Sequence, residues 1–509
     1  MRPIMKFLYR TISVVLLGLN VGGATAESPQ SLTDAVQMAI LKNPEVLVKF
    51  HTFEASRQEL NSARAAWLPR VDLEASSGTT TSESPTLTAP STYANPKASL
   101  VLRQTLFDGF ATLQEVRRLS HAQQAAFYDL QAISNAVALE ASRAYIDVLR
   151  YRILVEMAAD NYAIHQEIYD RLTEKVNAGV GRRVDLEQTA GRLALSESNW
   201  LTEASNLHDA SARYQRLIGE MPTEKLARVG AVDEFLPIGT DFLKDALITN
   251  PEFLAAVATI RAYRADAGVK RAQMMPTLEL RARQATESNR LGTMGSYRDS
   301  SVEVVMSFNL FRGGADLARA KQYSSRVNAA TELRDKICRD VWQTLQIAFH
   351  DSIRLSSQIR LLSQHELSVG KARVAYKQQF DIGQRSLLDL LDTENEHYQS
   401  RRAFNNAEFD LQLAEIRVLA SSGNLLSALK LRPLSGEVPG TAGGTEAGDD
   451  ALECSTRLMP TVTLNRMELF KKRQPQTPVS SEPGNAPAPG PSSAPFLPAM
   501  PVLPAPGRQ

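Results

Sequence analysis

Asp389 and Asp392 stand three residues apart in the stretch Gly383-Gln384-Arg385-Ser386-Leu387-Leu388-Asp389-Leu390-Leu391-Asp392. A helix opening after Gly383 places both carboxylates on one face. Carboxylates gathered at a narrow opening favour cations and repel one another unless they are paired or kept apart. That chemistry is electrostatic gating, not catalysis. The stretch has an upstream counterpart in Gly179-Val180-Gly181-Arg182-Arg183-Val184-Asp185, and Gly383 follows Gly179 by the same 204 residues by which Asp389 follows Asp185. The plainer reading of Asp389 and Asp392 is a pair of first-turn charges stabilised by the helix dipole.

No other set of residues has the spacing of a reaction centre. The seven histidines are scattered, and none forms an HExxH or another ligand spacing on one helical face. His350 and Asp351 are adjacent but diverge around a helix. No phosphate loop, nucleophile elbow or zinc pattern is present, so the expectation is a protein that is not an enzyme and needs no cofactor. A net charge of +1 excludes the basic face that nucleic acid demands. Transport through such an opening has no energy source within this chain, so a driven partner must supply it.

Long helices must position these turns. Residues 110–178 carry helical periodicity without Pro or Gly, which makes a rod of about 100 Å. Such a rod packs laterally against others. A return helix from about Val184 to Leu217 follows the first turn. A second long helix runs from Ala315 to about Phe380, with its own return ending at Ser422-Gly423. Between helices the period changes to two. Strands are expected over about 71–79, 98–107, 277–284 and 302–311, each with an apolar and a polar face. The Ser/Thr/Pro-rich residues 77–97 read as a loop. Asn43-Pro44-Glu45 recurs as Asn250-Pro251-Glu252, and Leu106-Phe107-Asp108-Gly109 as Leu310-Phe311-Arg312-Gly313. The chain therefore reads as one unit duplicated.

The expected organisation is an export signal over 1–26, a first repeat over 27–222, a linker over 223–242, a second repeat over 243–430 and a Pro-rich, disordered tail over 431–509. Beyond residue 26 no apolar run is long enough to span a bilayer as a helix. Cys338 and Cys454 show no framework spacing and are expected as isolated thiols.

An open four-stranded sheet is not viable in a bilayer, because its edge groups stay unpaired. The smallest transmembrane barrels have about 8 strands, so four per chain imply an oligomer sharing one barrel. A trimer gives about twelve strands and leaves room for a channel. Glu74, Arg103, Glu279, Arg281 and Asn309 would then face the lumen. The competing reading is a water-soluble coiled-coil scaffold, which has no need of four strands between its helices.

From Leu32 to about Leu429 the plan resembles TolC-type outer-membrane factors. The likeness is carried by the paired Asn-Pro-Glu motifs, Thr105-Leu106-Phe107-Asp108-Gly109-Phe110, Asn309-Leu310-Phe311-Arg312-Gly313-Gly314, Ala144-Tyr145-Ile146-Asp147-Val148-Leu149, and the stretch from Gly383 to Asp392. The resemblance implies a mainly α fold with a membrane β-barrel: a homotrimer with a 12-stranded barrel in outer-membrane lipid and a long periplasmic α-barrel closing to a mouth. It implies two partners, a periplasmic adaptor and an inner-membrane ABC transporter or other pump. Phe-Asp-Gly-Phe after the second strand resembles the type I protein-secretion branch; the alternative is multidrug efflux. By resemblance, Asp389 and Asp392 match the acidic rings at the entrance. Arg385 matches the arginine that tethers the inner helix pair, and Asp185 its partner carboxylate. Phe380 departs from the family pattern, standing where a tyrosine would donate a hydroxyl, and Val184 stands in place of a threonine.

Overall fold

The computed structural model describes residues 31–83, 90–230, 242–290 and 293–435, with scattered positions between 439 and 469. The expected export signal over 1–26 and most of the Pro-rich tail lie outside the described residues.

Helix α1 (Leu32–Lys42) is capped by Ser31, whose side chain accepts from the Asp34 amide. Helix α2 (Pro44–Arg64) begins on Pro44, with Asn43 accepting from the Glu45 amide. A 3-10 turn, Ala65–Trp67, ends it ahead of Pro69. Four strands follow: β1 (Arg70–Ser76), β2 (Thr79–Ser82), β3 (Ser91–Ala94) and β4 (Lys97–Phe107). Then come α3 (Ala111–Asn177) and its return α4 (Arg183–Ile218). The second half repeats the plan with α5 (Phe242–Thr249), α6 (Pro251–Ala272), β5 (Thr277–Ser288), β6 (Ser296–Ser307), α7 (Ala315–Asp381) and α8 (Leu387–Ser421), closed by the short α9 (Leu425–Ala428). Asn250 caps α6 as Asn43 caps α2, accepting from the Glu252 and Phe253 amides. Among the described residues no helix is long and apolar enough to cross a membrane.

The main sheet runs β1-β4-β5-β6, antiparallel throughout, so the two repeats join through the β4–β5 ladder. Its faces separate by chemistry. Leu102 lies opposite Val71 and Ala282, and Ala282 opposite Val302. One residue on, Arg103 lies opposite Arg70 and Arg281, and Arg281 opposite Glu303. Among the described residues the apolar face stays open: Leu73 is 74% exposed and Val302 77%. Among the described residues, strands β1 and β6 each have one neighbour and one unpaired edge.

Two strand expectations are corrected. Residues 77–97 are not all loop, because β2 and β3 form a small hairpin of their own. It pairs without an apolar alternation, through the ladder and a 2.9 Å hydroxyl contact between Thr81 and Thr92. The last strand ends at Ser307, so Asn309 sits beyond the sheet and does not belong to its polar face.

The helices share two cores midway along the rods. The larger gathers Ile40, Phe53, Phe127, Tyr145 and Tyr214 from α1–α4 with Ile416 of α8. Tyr145 is fully buried, and its hydroxyl donates to the Ala227 carbonyl at 2.7 Å. The smaller joins Leu243, Phe253, Trp342 and Leu345 of α5–α7. The chain beyond Lys430 continues onto both. Leu431 and Leu434 pack on the larger core, while the Arg432 amide donates to Gln37 Oε1 at 2.7 Å. Leu452 and Cys454 pack on the smaller one. Cys338 and Cys454 form a disulfide, which overturns the expectation of isolated thiols. Their pairing joins a helix to a distant tail, a proximity that local spacing cannot encode.

Candidate functional site

The two turns lie about 100 Å from the sheet, at the far ends of α3 and α7. Both close the same way. The Val180 amide donates to the Lys175 carbonyl and that of Gly179 to Val176; likewise Gln384 donates to Gln379 and Gly383 to Phe380. This is the Schellman pattern, and Gly179 (φ 76°) and Gly383 (φ 78°) supply the left-handed residue it requires.

Helix α8 opens on a capping box. The Asp389 amide donates to Ser386 Oγ at 3.2 Å, while the Ser386 amide (3.2 Å) and hydroxyl (2.8 Å) both donate to Asp389 Oδ2. These bonds hold the Asp389 carboxyl below the usual carboxylate range, with Arg385 adding a smaller electrostatic pull. The depressed value fixes a sign. The cap is fully formed above the ordinary pKa of 3.8 and is lost as pH falls below it. Amide protection factors at Asp389 and Leu390, whose N–H groups bond Ser386, are therefore expected to fall specifically below about pH 3.8, and Asp389→Asn to show the lower protection already at neutral pH. Protection unchanged in the variant would contradict the assignment.

Asp392 meets Arg192 of α4 at 2.6 Å, so the two carboxylates of one face have different partners. Arg385 does not reach Asp185 within the chain. Its Nε donates to Gln379 Oε1 at 3.0 Å, its guanidinium lies 4.3 Å over the Tyr376 ring, and it stands 4.0 Å from Asp389. Asp185 lies in the first turn of α4, where its backbone carbonyl accepts from Thr189 Oγ1. Phe380 packs with Leu172, Leu387 and Leu391, and Lys175 Nζ sits 5.8 Å over its ring. Packing and a cation–π contact join α3 to α7 there. The structure thus brings Phe380 against α3 and keeps Arg385 and Asp185 apart within one protomer.

Three ion pairs complete the site, with Asp392 the one member expected from the sequence. Arg192 pairs with Asp392, Arg402 with Glu203 of α4 at 2.7 Å, and Arg373 of α7 with Glu394 at 2.6 Å. The Glu203 and Glu394 side chains are each 3% exposed. A signal for Glu203 does exist. The buried positions Thr189, Ser196, Glu203, Ala210 and Leu217 recur every seven residues along α4. A carboxylate on that buried stripe requires a partner.

The chain resembles known proteins along most of its length. The family model described as outer membrane efflux protein matches residues 35–220 and 242–424. Outer membrane protein TolC of Escherichia coli is 25% identical over 436 residues, covering 81% of this chain and 86% of that protein. Alkaline protease secretion protein AprF of Pseudomonas aeruginosa is 26% identical over 434 residues, covering 80% and 88%. The Campylobacter jejuni CmeC outer membrane channel superposes with a TM-score of 0.70 at 18% identity, over 77% of this chain and 86% of that one.

Proposed function

The chain belongs to the outer membrane efflux protein family, and from that premise we propose that it is the passive exit duct of a tripartite export machine. It resides in the outer membrane of a Gram-negative cell, with its long helices extending into the periplasm. One observation carries the reading: an open four-stranded sheet with an exposed apolar face at one end of two helical hairpins about 100 Å long. In lipid, the free edges of β1 and β6 must pair with other copies. Three copies supply twelve strands and close a barrel wide enough for a channel. The row of Arg70, Arg103, Arg281 and Glu303 then lines its interior. A water-soluble scaffold would leave that apolar face in water, which argues against it.

Type I protein secretion, with an inner-membrane ABC transporter and a periplasmic adaptor, is the role we assign. Phe107-Asp108-Gly109-Phe110 after β4 and the likeness to a named protease secretion protein support it. Multidrug efflux is the competing role, favoured by the match to the outer membrane efflux protein family.

The mouth of the duct is the ring that Asp389 and Asp392 form, three copies of each. The purified protein in a planar bilayer is expected to give a small, cation-favouring conductance. The double variant Asp389→Ala, Asp392→Ala is expected to lose most of that preference. Unchanged selectivity would sink the ring, and no conductance from the wild-type protein would sink the duct.

A further inference from the structure

We propose that the barrel lumen holds an arginine site for oxyanions, built around Arg103 and Arg283, which takes carboxylate-rich stretches of an exported chain and gives this level of the duct a charge opposite to that of the mouth. The inference rests on the duct reading above, because only a closed barrel turns this face of the sheet inward.

Strand register places the group. Arg103 of β4 lies opposite Arg70 of β1 on one side and Arg281 of β5 on the other. Arg283, two residues on from Arg281, shares that face and lies opposite Val101 and Ser301. Opposed Cβ atoms stand about 5 Å apart and diagonal ones about 7 Å, within reach of side chains as long as arginine. Like charges set directly opposite destabilise a sheet. The row therefore costs stability unless counter-charges answer it. Carboxylates answer two of the four. Arg70 meets Asp72 at 2.8 Å and Arg281 meets Glu279 at 2.8 Å, each along its own strand. Asp299, diagonal to Arg283 on β6, is engaged by Arg290. Glu303 faces Arg281, the arginine that already has a partner.

Among the described residues Arg103 and Arg283 form no ion pair, and both are exposed. Two neighbouring guanidinium forks thus stand open on the lumenal face. A carboxylate or phosphate fits such a fork through two parallel hydrogen bonds. Bound between them, it turns the repulsion of neighbours into a shared contact. Three copies facing one narrow, low-dielectric lumen focus the field further. Position separates this site from the mouth. Arg103 is four residues from Phe107, where β4 ends, or about 14 Å along the strand. The mouth lies about 100 Å beyond, at the far ends of the rods. A chain in transit meets carboxylates where it enters and guanidinium groups where it leaves. Its acidic stretches are repelled at the first and held at the second.

The test uses full-length protein in planar bilayers at low salt, where screening is weakest. Two probes, tripolyphosphate and a short poly-glutamate, are added on the barrel side. Both are expected to block the wild-type conductance. The double variant Arg103→Gln, Arg283→Gln is expected to raise the half-blocking concentration of each roughly tenfold. Arg103→Lys keeps the charge but loses the fork, and is expected to raise it about threefold. Should the double variant fail to assemble, the lysine variant carries the test alone. Equal block of wild type and variants would overturn the site while the duct stands. Block by tripolyphosphate but not by poly-glutamate would overturn the assignment to a chain in transit. Stronger block from the helical side would place the contact outside the barrel and overturn the site as well. A wild-type protein that forms no channel would overturn the duct reading itself.

Discussion

Gly109→Val is expected to destabilise the trimer by about 3–5 kcal/mol, the sum of a left-handed backbone penalty and an overpacked contact. Gly109 sits at φ 68° and Phe110 at φ 70°, two successive left-handed residues between β4 and α3. A Cβ on Gly109 would lie 2.4 Å from Met275 Cβ and 2.7 Å from the Ala272 carbonyl oxygen, where α6 ends. The backbone of this turn is therefore pressed against the second repeat. Asp108 fixes it from the other side, its carboxylate accepting from the Thr112 amide at 2.7 Å and from the Thr112 hydroxyl at 2.5 Å. Nothing there gives way cheaply, because the opposing atoms are a helix carbonyl and a Cβ. Gly313, the equivalent turn in the second repeat, supplies the control. It too is left-handed, at φ 62°, but a Cβ there meets open space. Gly313→Val should cost only the backbone part, about 1–2 kcal/mol. Denaturant melts of the two variants measured side by side decide the matter. Equal losses would mean that the contact with α6 contributes nothing.

Helical hairpins were legible in the sequence because period and punctuation agreed. A run from Phe110 to Ala178 without Pro or Gly became α3, and the Gly-containing turns fell where the left-handed residues are needed. Strands β1, β4, β5 and β6 were legible because alternation survives wherever one face meets a different medium from the other. The β2–β3 hairpin was not. Thr79, Thr80, Thr81 and Ser82 carry no apolar alternation, and their partners lie across a Ser/Thr/Pro segment. The site divides in the same way. The capping role of Asp389 was foreshadowed as a first-turn charge, since Ser386 and Asp389 are three apart. The partner of Asp392 was out of reach, because Arg192 lies 200 residues away on the other repeat. The resemblance supplied Arg385 and Asp185 in its place, and the single chain keeps those two apart. Duplication predicts which positions correspond, not which positions touch within one chain.

Removal of the Cys338–Cys454 disulfide is expected to cost about 3–5 kcal/mol of stability, most of it independent of the distal tail. The bond closes 116 residues of chain, and a loop of that length restricts the unfolded ensemble by an amount near the top of the usual range. The folded state loses as well. Leu452 and Cys454 pack against the core of Trp342, Leu345, Phe253 and Leu243, and release of the strap lets water reach that core. The two contributions separate by truncation. Deletion of residues 457–509 keeps the disulfide and both packed leucines, Leu431 and Leu452, and should lower the thermal midpoint least of the series. Deletion of 435–509 removes the strap, and should lower the midpoint about as much as Cys338→Ser with Cys454→Ser. Deletion after Lys430 goes further. It takes Leu431 and Leu434 from the larger core and the Arg432–Gln37 bonds from α1, so it should be the least stable of the series. The order of the four melting points is the test. If loss of 457–509 alone matched loss of the cysteines, the stabilising element would lie in the distal tail and not in the strap. If reduction of the wild-type protein left the midpoint where it was, the disulfide would only record a proximity that packing had already enforced.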